Sequence, residues 1–234
     1  MTSRPPFKPY HEREAVIVYR RNLPHWRQDG ATYFVTFRLA DALPKSVVAQ
    51  WDDEKRLWLA ARDIDYHPDS ADWLAAFKAK LSPKERSEFH QLFNRKLNHH
   101  LDQGLGACHL RGDPCLNIVR QKLLQHDGTD YHLGDFVLMP NHVHLLINLI
   151  QGLDLERVMQ RIKGGSSFLC NQALGRRGRL WQREYYDHLV RDGTELSAFQ
   201  KYVRENPQKA GIRVPEHAVY HAEWLRAEAE AEAE

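Results

Sequence analysis

Residues 131–149 read YHLGDFVLMPNHVHLLINL, and the reading of this stretch decides the fold. Two apolar runs, Tyr131 to Met139 and Val143 to Leu149, are broken by Pro140-Asn141, which predicts two strands separated by a turn. His142 and His144 stand at i and i+2. On a strand that spacing puts both imidazoles on one face and sends Val143, Leu145 and Ile147 to the other, into the core. Two imidazoles side by side can bind one divalent cation and leave positions open for a third ligand and a substrate oxygen. The pair opens a strongly apolar strand just after the turn, where an exposed face would be cheap to use. Two ordinary strand histidines would also produce this pattern.

The flanking sequence supplies the rest of an α+β plan. Upstream, Ala31 to Leu39 (ATYFVTFRL) is β-branched and aromatic, with Tyr33, Val35 and Phe37 on one face. From Lys45 to about Leu101 the pattern is helical and charged, cut by Pro68 and Pro83, and it reads as a helical insertion. Asp113-Pro114 is expected to open a helix, with Asp113 as N-cap and a stripe of Leu116, Val119, Leu123 and Leu124. Leu153 to about Leu174 is a further helix, with Gly164-Gly165 as an expected interruption. It ends in a basic turn, Gly175 to Arg179. Thr194 is expected to cap a last helix through Glu205, stopped by Asn206-Pro207. Strand, helix, two strands and two helices point to an antiparallel sheet with helices packed on it.

Composition limits the function classes. The chain has 234 residues, 42% hydrophobic and 27% charged, enough for one good-sized core. Mean hydropathy is -0.63 and no long apolar run occurs, so no membrane span is expected. The first six residues have no apolar signal region, and three cysteines without a C-x-x-C pair argue against a disulfide scaffold, so a cytoplasmic setting is expected. Cys108, His109 and Cys115 have the wrong spacing for a zinc site. Net charge is +2, but four negative charges sit in the alternating Ala-Glu tail from Ala227, which reads as a frayed or disordered end. Between Arg157 and Arg213 twelve Lys and Arg face five Asp and Glu, a bias that fits a polyanionic partner or a solvated basic face.

Tyr202 and Asn206 lie at i and i+4 on the last helix, one turn apart on one face. A tyrosine hydroxyl can attack phosphorus if a cation stabilises the developing charge. The same spacing also suits core-edge packing followed by a helix stop. Tyr185 and Tyr186, beside Asp187 and His188, are a second pair of tyrosine candidates, although nothing at i+4 offers them a metal ligand.

Four blocks, in order, give the chain a resemblance. They are Gly30 to Leu39 (GATYFVTFRL), Phe136 to His144 (FVLMPNHVH), Leu180 to His188 (LWQREYYDH) and Tyr202 to Gly211 (YVRENPQKAG). Together they resemble the REP-associated tyrosine transposases, a single-tyrosine branch of the HUH transposases with an IS200-like domain. The resemblance implies a ferredoxin-like α+β core over residues 31–213, with a helical insertion at about 41–112, an N-terminal arm at 1–30 and a partly disordered tail at 214–234. It implies a DNA transposase, acting as a single-strand endonuclease and strand transferase. His142, His144 and Asn206 would be metal ligands for Mg²⁺ or Mn²⁺, and Tyr202 the nucleophile of a 5′-phosphotyrosine intermediate. The implied partner is single-stranded or hairpin DNA of REP type, handled by a monomer or homodimer in the bacterial cytoplasm, near the nucleoid. Candidate DNA contacts are Arg20, Arg21, Trp26, Arg176, Arg177, Arg179, Trp181, Arg183 and His188. Two other readings compete: a non-catalytic hairpin binder, and a metal-dependent phosphodiesterase with water as nucleophile.

Overall fold

The structure, a computed structural model, describes residues 7–8, 17–20, 24–68, 70, 72–222 and 224. Arg21 and the Ala-Glu tail lie outside the described residues, as does most of the N-terminal arm. Of that arm, β1 (Ile17–Arg20) and β2 (Pro24–Arg27) form a two-stranded antiparallel ribbon that carries Arg20 and Trp26.

The main sheet has five strands. They are β3 (Thr32–Arg38), β4 (Tyr131–Met139), β5 (His142–Leu149), β6 (Tyr186–Leu189) and β7 (Val219–Tyr220), in the order β6-β3-β5-β4-β7, all antiparallel. Helix α4 (Cys115–Leu124) joins β3 to β4, and α5 (Leu155–Ala173) joins β5 to β6. The unit β3-α4-β4-β5-α5-β6 is therefore a βαββαβ chain with its strands in the spatial order fourth, first, third, second. That is the ferredoxin-like arrangement, α+β as the sequence predicts.

Alternation along the strands sorts their residues onto two faces. Tyr33, Val35, Phe37, Leu133, Phe136, Val143, Leu145 and Ile147 form the larger core with Leu116, Val119 and Leu123 of α4 and Val158, Met159 and Ile162 of α5. Phe34, Val137, Met139 and Leu146 take the other face, under Leu196 and Val203 of α6 (Gly193–Lys209). A register shift in β4 between Leu133 and Phe136 lets both point into the larger core. Asp135, within that bulge, is fully buried and accepts from Arg204 Nε at 2.6 Å and from the Ala222 backbone N–H at 2.9 Å. One carboxylate thus ties α6 and the C-terminal segment to the sheet.

The insertion is three helices, α1 (Lys45–Ala60), α2 (Trp73–Lys80) and α3 (Pro83–Asp102), with a separate core that includes Leu59, Ile64, Phe77, Phe89 and Phe93. A capping box starts α3: Ser82 accepts from the Glu85 backbone N–H, and the Glu85 side chain accepts from that of Ser82. Its far end reaches the sheet, where Leu101 is buried in the main core.

Four local expectations are corrected. Helix α4 begins at Cys115 with Pro114 at its N-cap position, and no Asp113 side chain caps it. Helix α5 runs unbroken through Gly164-Gly165, because packing overrides propensity. A Cβ on Gly165 would stand 3.3 Å from Lys122 Cε of α4, so glycine serves close helix approach there. Asp192, not Thr194, caps α6, accepting from the Glu195 backbone N–H at 2.8 Å. Asn206-Pro207 does not stop α6. Pro207 forfeits one helical donor, but the helix continues to Lys209 and ends at Gly211, whose φ is +66°. Residues 214–222, grouped with the tail from sequence, supply β7 and the buried Ala218 and Ala222.

Replacing Arg204 by Ala would leave the Asp135 carboxylate buried with the Ala222 amide at 2.9 Å and the His221 imidazole at 3.5 Å as its remaining partners. The Arg204 side chain is 37% exposed, so the loss falls below the range for fully buried pairs. Urea unfolding should show a destabilisation of about 2–3 kcal/mol.

Candidate functional site

The face of the sheet beneath α6 carries a line of polar residues that the register makes unavoidable. His144 lies opposite Thr36 and His142 opposite Arg38, so all four share one face. Both imidazoles are completely buried, although the place after the turn would have allowed an exposed face. Their Nε2 atoms are 3.0 Å apart and the rings meet edge to face at 77°. The outer nitrogens are held: His142 Nδ1 is 2.7 Å from Asn141 Oδ1, and His144 Nδ1 is 2.7 Å from Thr36 Oγ1. Asn141 is itself fixed, donating through Nδ2 to the Leu105 carbonyl at 2.9 Å. The acceptor amide oxygen at His142 Nδ1 makes that nitrogen the protonated one, so Nε2 presents a lone pair inward.

Burial keeps both rings neutral. The His142 pKa is driven far below the ordinary histidine value by desolvation, then by His144 and by the Arg38 charge. Desolvation brings that of His144 down to about 3.

Helix α6 closes the site from above. Phe34 stacks on Phe199 at 4.3 Å and meets the Tyr202 ring edge-on at 5.9 Å. The Tyr202 hydroxyl reaches 3.4 Å from His144 Nε2. Burial raises the Tyr202 pKa above its ordinary value, and Asp102 adds to the rise. One turn on, Asn206 is 1% exposed. Its Nδ2 donates to Asp102 Oδ1 at 3.3 Å, and its Oδ1 is buried with no hydrogen-bond partner.

This donor set fits a divalent cation. Adjacent donors around a cation with bonds of about 2.1 Å lie about 3.0 Å apart, which matches the Nε2 separation. The unpartnered Asn206 oxygen, a costly feature in a buried site, is what such an ion would satisfy. Among the described residues no three His, Cys, Asp or Glu side chains come together as a metal site, so a third protein donor beside the two imidazoles would have to be the Asn206 amide oxygen.

The sequence reading missed four of the residues gathered here. Thr36 and Arg38 follow from strand alternation past Phe34, and Asn141 from its place next to His142. Arg38 is half-buried and makes no ion pair with a carboxylate among the described residues. Burial pushes its pKa down to about 10, so it stays charged at neutral pH. Asp102 left no sequence signal, since it arrives from the insertion.

Other candidates fall elsewhere. Tyr185 is buried in the larger core, and Tyr186 packs edge-on against Phe34 with its pKa pushed up to about 12 by burial. His188 shares the α6 face but bonds Glu195 at 2.9 Å. Trp181 is buried, donating to Ser166 Oγ at 2.9 Å. Arg176 bonds His109 Nε2, while Arg177, Arg179 and Arg183 are exposed around the turn after α5. Cys108, Cys115 and Cys170 are free thiols. No helix among the described residues is long and apolar enough to cross a membrane.

Residues 116–206 match the family model "Transposase IS200 like". A Haemophilus influenzae protein described as a "Putative REP-associated tyrosine transposase" is 31% identical over 84 residues, 32% of this chain and 48% of that protein. An uncharacterized protein of the same organism is 28% identical over 96 residues, 32% of this chain and 53% of that protein. The chain thus spans about half the length of the curated relatives it matches. A solved structure of a REP-associated tyrosine transposase bound to a REP hairpin is 16% identical, covering 82% of this chain and 73% of that one, with a TM-score of 0.42. The family model spans the second and third of the four sequence blocks and the start of the fourth, including His142, His144, Tyr202 and Asn206.

Tyr202 contributes its hydroxyl to a 3.4 Å contact and its ring to the Phe34 cluster. Tyr202→Phe keeps the ring, so denaturant unfolding should show a change below about 1 kcal/mol.

Proposed function

We propose that this protein nicks and rejoins single-stranded or hairpin DNA of REP type, with Tyr202 as the attacking group and a divalent cation, Mg²⁺ or Mn²⁺, held by His142, His144 and Asn206. The observation that carries the reading is the Tyr202 hydroxyl, 3.4 Å from one of two neutral, inward-facing imidazoles, with an unpartnered amide oxygen one helical turn away. Similarity to the IS200-like transposase family supports the same chemistry.

The chain's own residues set the terms of the reaction. The phenol oxygen of Tyr202 forms a bond to phosphorus as the bond to the 3′ oxygen breaks. The phenolic proton is lost to water, and the leaving 3′ oxygen takes up a proton. The 5′ phosphate stays on Tyr202, and a later 3′-OH displaces the tyrosine and restores a phosphodiester. One phosphoester bond is exchanged for another, so no nucleotide cofactor is required. When bound, the cation supplies polarisation of a phosphate oxygen and opposes the burial that raises the Tyr202 pKa. Thr36 and Asn141 hold the imidazoles in ring orientation. Arg38, on the same strand face with no carboxylate partner, is the group placed to meet the phosphate charge. Around the turn after α5, the exposed Arg177, Arg179 and Arg183 would make sequence-independent phosphate contacts, with Arg176 nearby.

A labelled hairpin oligonucleotide incubated with Mn²⁺ and run on a denaturing gel tests the reaction. Wild type should give a covalent protein–DNA band that Tyr202→Phe lacks. Cleavage surviving in Tyr202→Phe would replace this reading with a water-dependent phosphodiesterase, and hairpin binding without cleavage would replace it with a binding protein. Arg38→Ala should lower the cleavage rate about 10²-fold while leaving hairpin affinity within a few-fold.

A further inference from the structure

Asp102 is the last residue of α3, a helix that belongs to the inserted segment and not to the βαββαβ core. A carboxylate at a helix C-terminus faces the negative end of the dipole, so helix stability does not account for it. Leu101, buried in the main core, fixes this helix end against the sheet. Asp102 Oδ1 then stands 3.3 Å from Asn206 Nδ2 and 3.9 Å from His142 Nε2. Among the described residues no Lys or Arg comes within ion-pair distance of it, and the imidazole it faces is neutral.

Two features of the site remain unbalanced without a cation. The Asn206 oxygen is orphaned, and Asp102 is a half-buried carboxylate without a Lys or Arg partner among the described residues. His142, His144 and Asn206 are all neutral donors, so they bring no charge to offset a doubly positive ion taken out of water. The bond from Asn206 Nδ2 to Asp102 also decides which way the amide points. It turns Nδ2 outward and leaves Oδ1 for the ion.

We propose that Asp102, delivered by the inserted helix α3, is a positioning residue of the cation site, orienting the Asn206 amide and adding the one negative charge that the donor set otherwise lacks. This rests on the cation-dependent reading above. It gives the insertion a direct part in the site.

The test is Mn²⁺ binding to the full chain, followed by electron paramagnetic resonance of the free ion, in wild type, Asp102→Asn, Asp102→Ala and His144→Ala. Wild type should bind one ion and His144→Ala none. Asp102→Asn keeps an acceptor for Asn206 but loses the charge, and should bind about 10-fold more weakly. Asp102→Ala should lose about 10–100-fold. Asp102→Asn, which keeps the acceptor for Asn206, should melt within about 2 °C of wild type in the absence of metal, whereas a merely structural role for the charge would shift melting; Asp102→Ala also loses the hydrogen bond to the buried Asn206 amide and should melt lower. Wild-type Mn²⁺ affinity in both Asp102 variants would overturn this inference while leaving the cation-dependent reading intact. Failure of wild type to bind Mn²⁺ would overturn both.

Discussion

Burying two imidazoles side by side on a central strand is the constraint around which the rest is arranged. Each ring carries two nitrogens that water no longer serves, and an unserved buried polar atom costs about 1–3 kcal/mol. Strand pairing solves the outer half of the problem. Register sets Thr36 opposite His144, and the two-residue turn sets Asn141 next to His142. The inner half is left as two nitrogens 3.0 Å apart under a helix. A neutral pair in that position costs less than a charged one, and its inner nitrogens share one hydrogen bond that a cation would replace.

Helix α6 is held tightly over this pair, which fixes the Tyr202 hydroxyl 3.4 Å from His144 Nε2. Two kinds of contact hold it. Phe34 packs between His144 and Phe199, and Arg204 reaches the buried Asp135 inside the β4 bulge. The bulge therefore serves α6 as much as the sheet, because it puts a carboxylate where the helix can reach it. The continuation of α6 through Pro207 matters for the same reason. Asn206 stays on the helical face of Tyr202 instead of drifting into a loop. The same burial that fixes Tyr202 also disfavours its ionised form, so a phenolate there would need positive charge nearby.

Much of this was legible in the sequence because it rests on short-range periodicity. The i, i+2 spacing of His142 and His144 predicts a shared strand face, and the i, i+4 spacing of Tyr202 and Asn206 a shared helical one; both appear. Local signals misled where packing or capping geometry overrode them. Gly164-Gly165 looks like a break, but α5 continues through it, and Gly165 lies against the Lys122 side chain of α4. Thr194 looks like a cap, but Asp192 takes that position. Asn206-Pro207 looks like a stop, although a proline late in a helix costs one hydrogen bond and not the last turn. Arg38 was within reach of the alternation argument that was applied to Tyr33, Val35 and Phe37, carried to the opposite face. Asp102 was not, because its place depends on how three inserted helices return to the sheet.

The central claim is that the inward nitrogens of His142 and His144, together with Asn206, form a cation site under Tyr202. An anomalous difference map from crystals grown with Mn²⁺ tests it most directly. The account predicts one strong peak, about 2.1–2.3 Å from both Nε2 atoms and from Asn206 Oδ1. A map with no peak there at saturating Mn²⁺, or with the ion held elsewhere while the two imidazoles keep their mutual hydrogen bond, would contradict it.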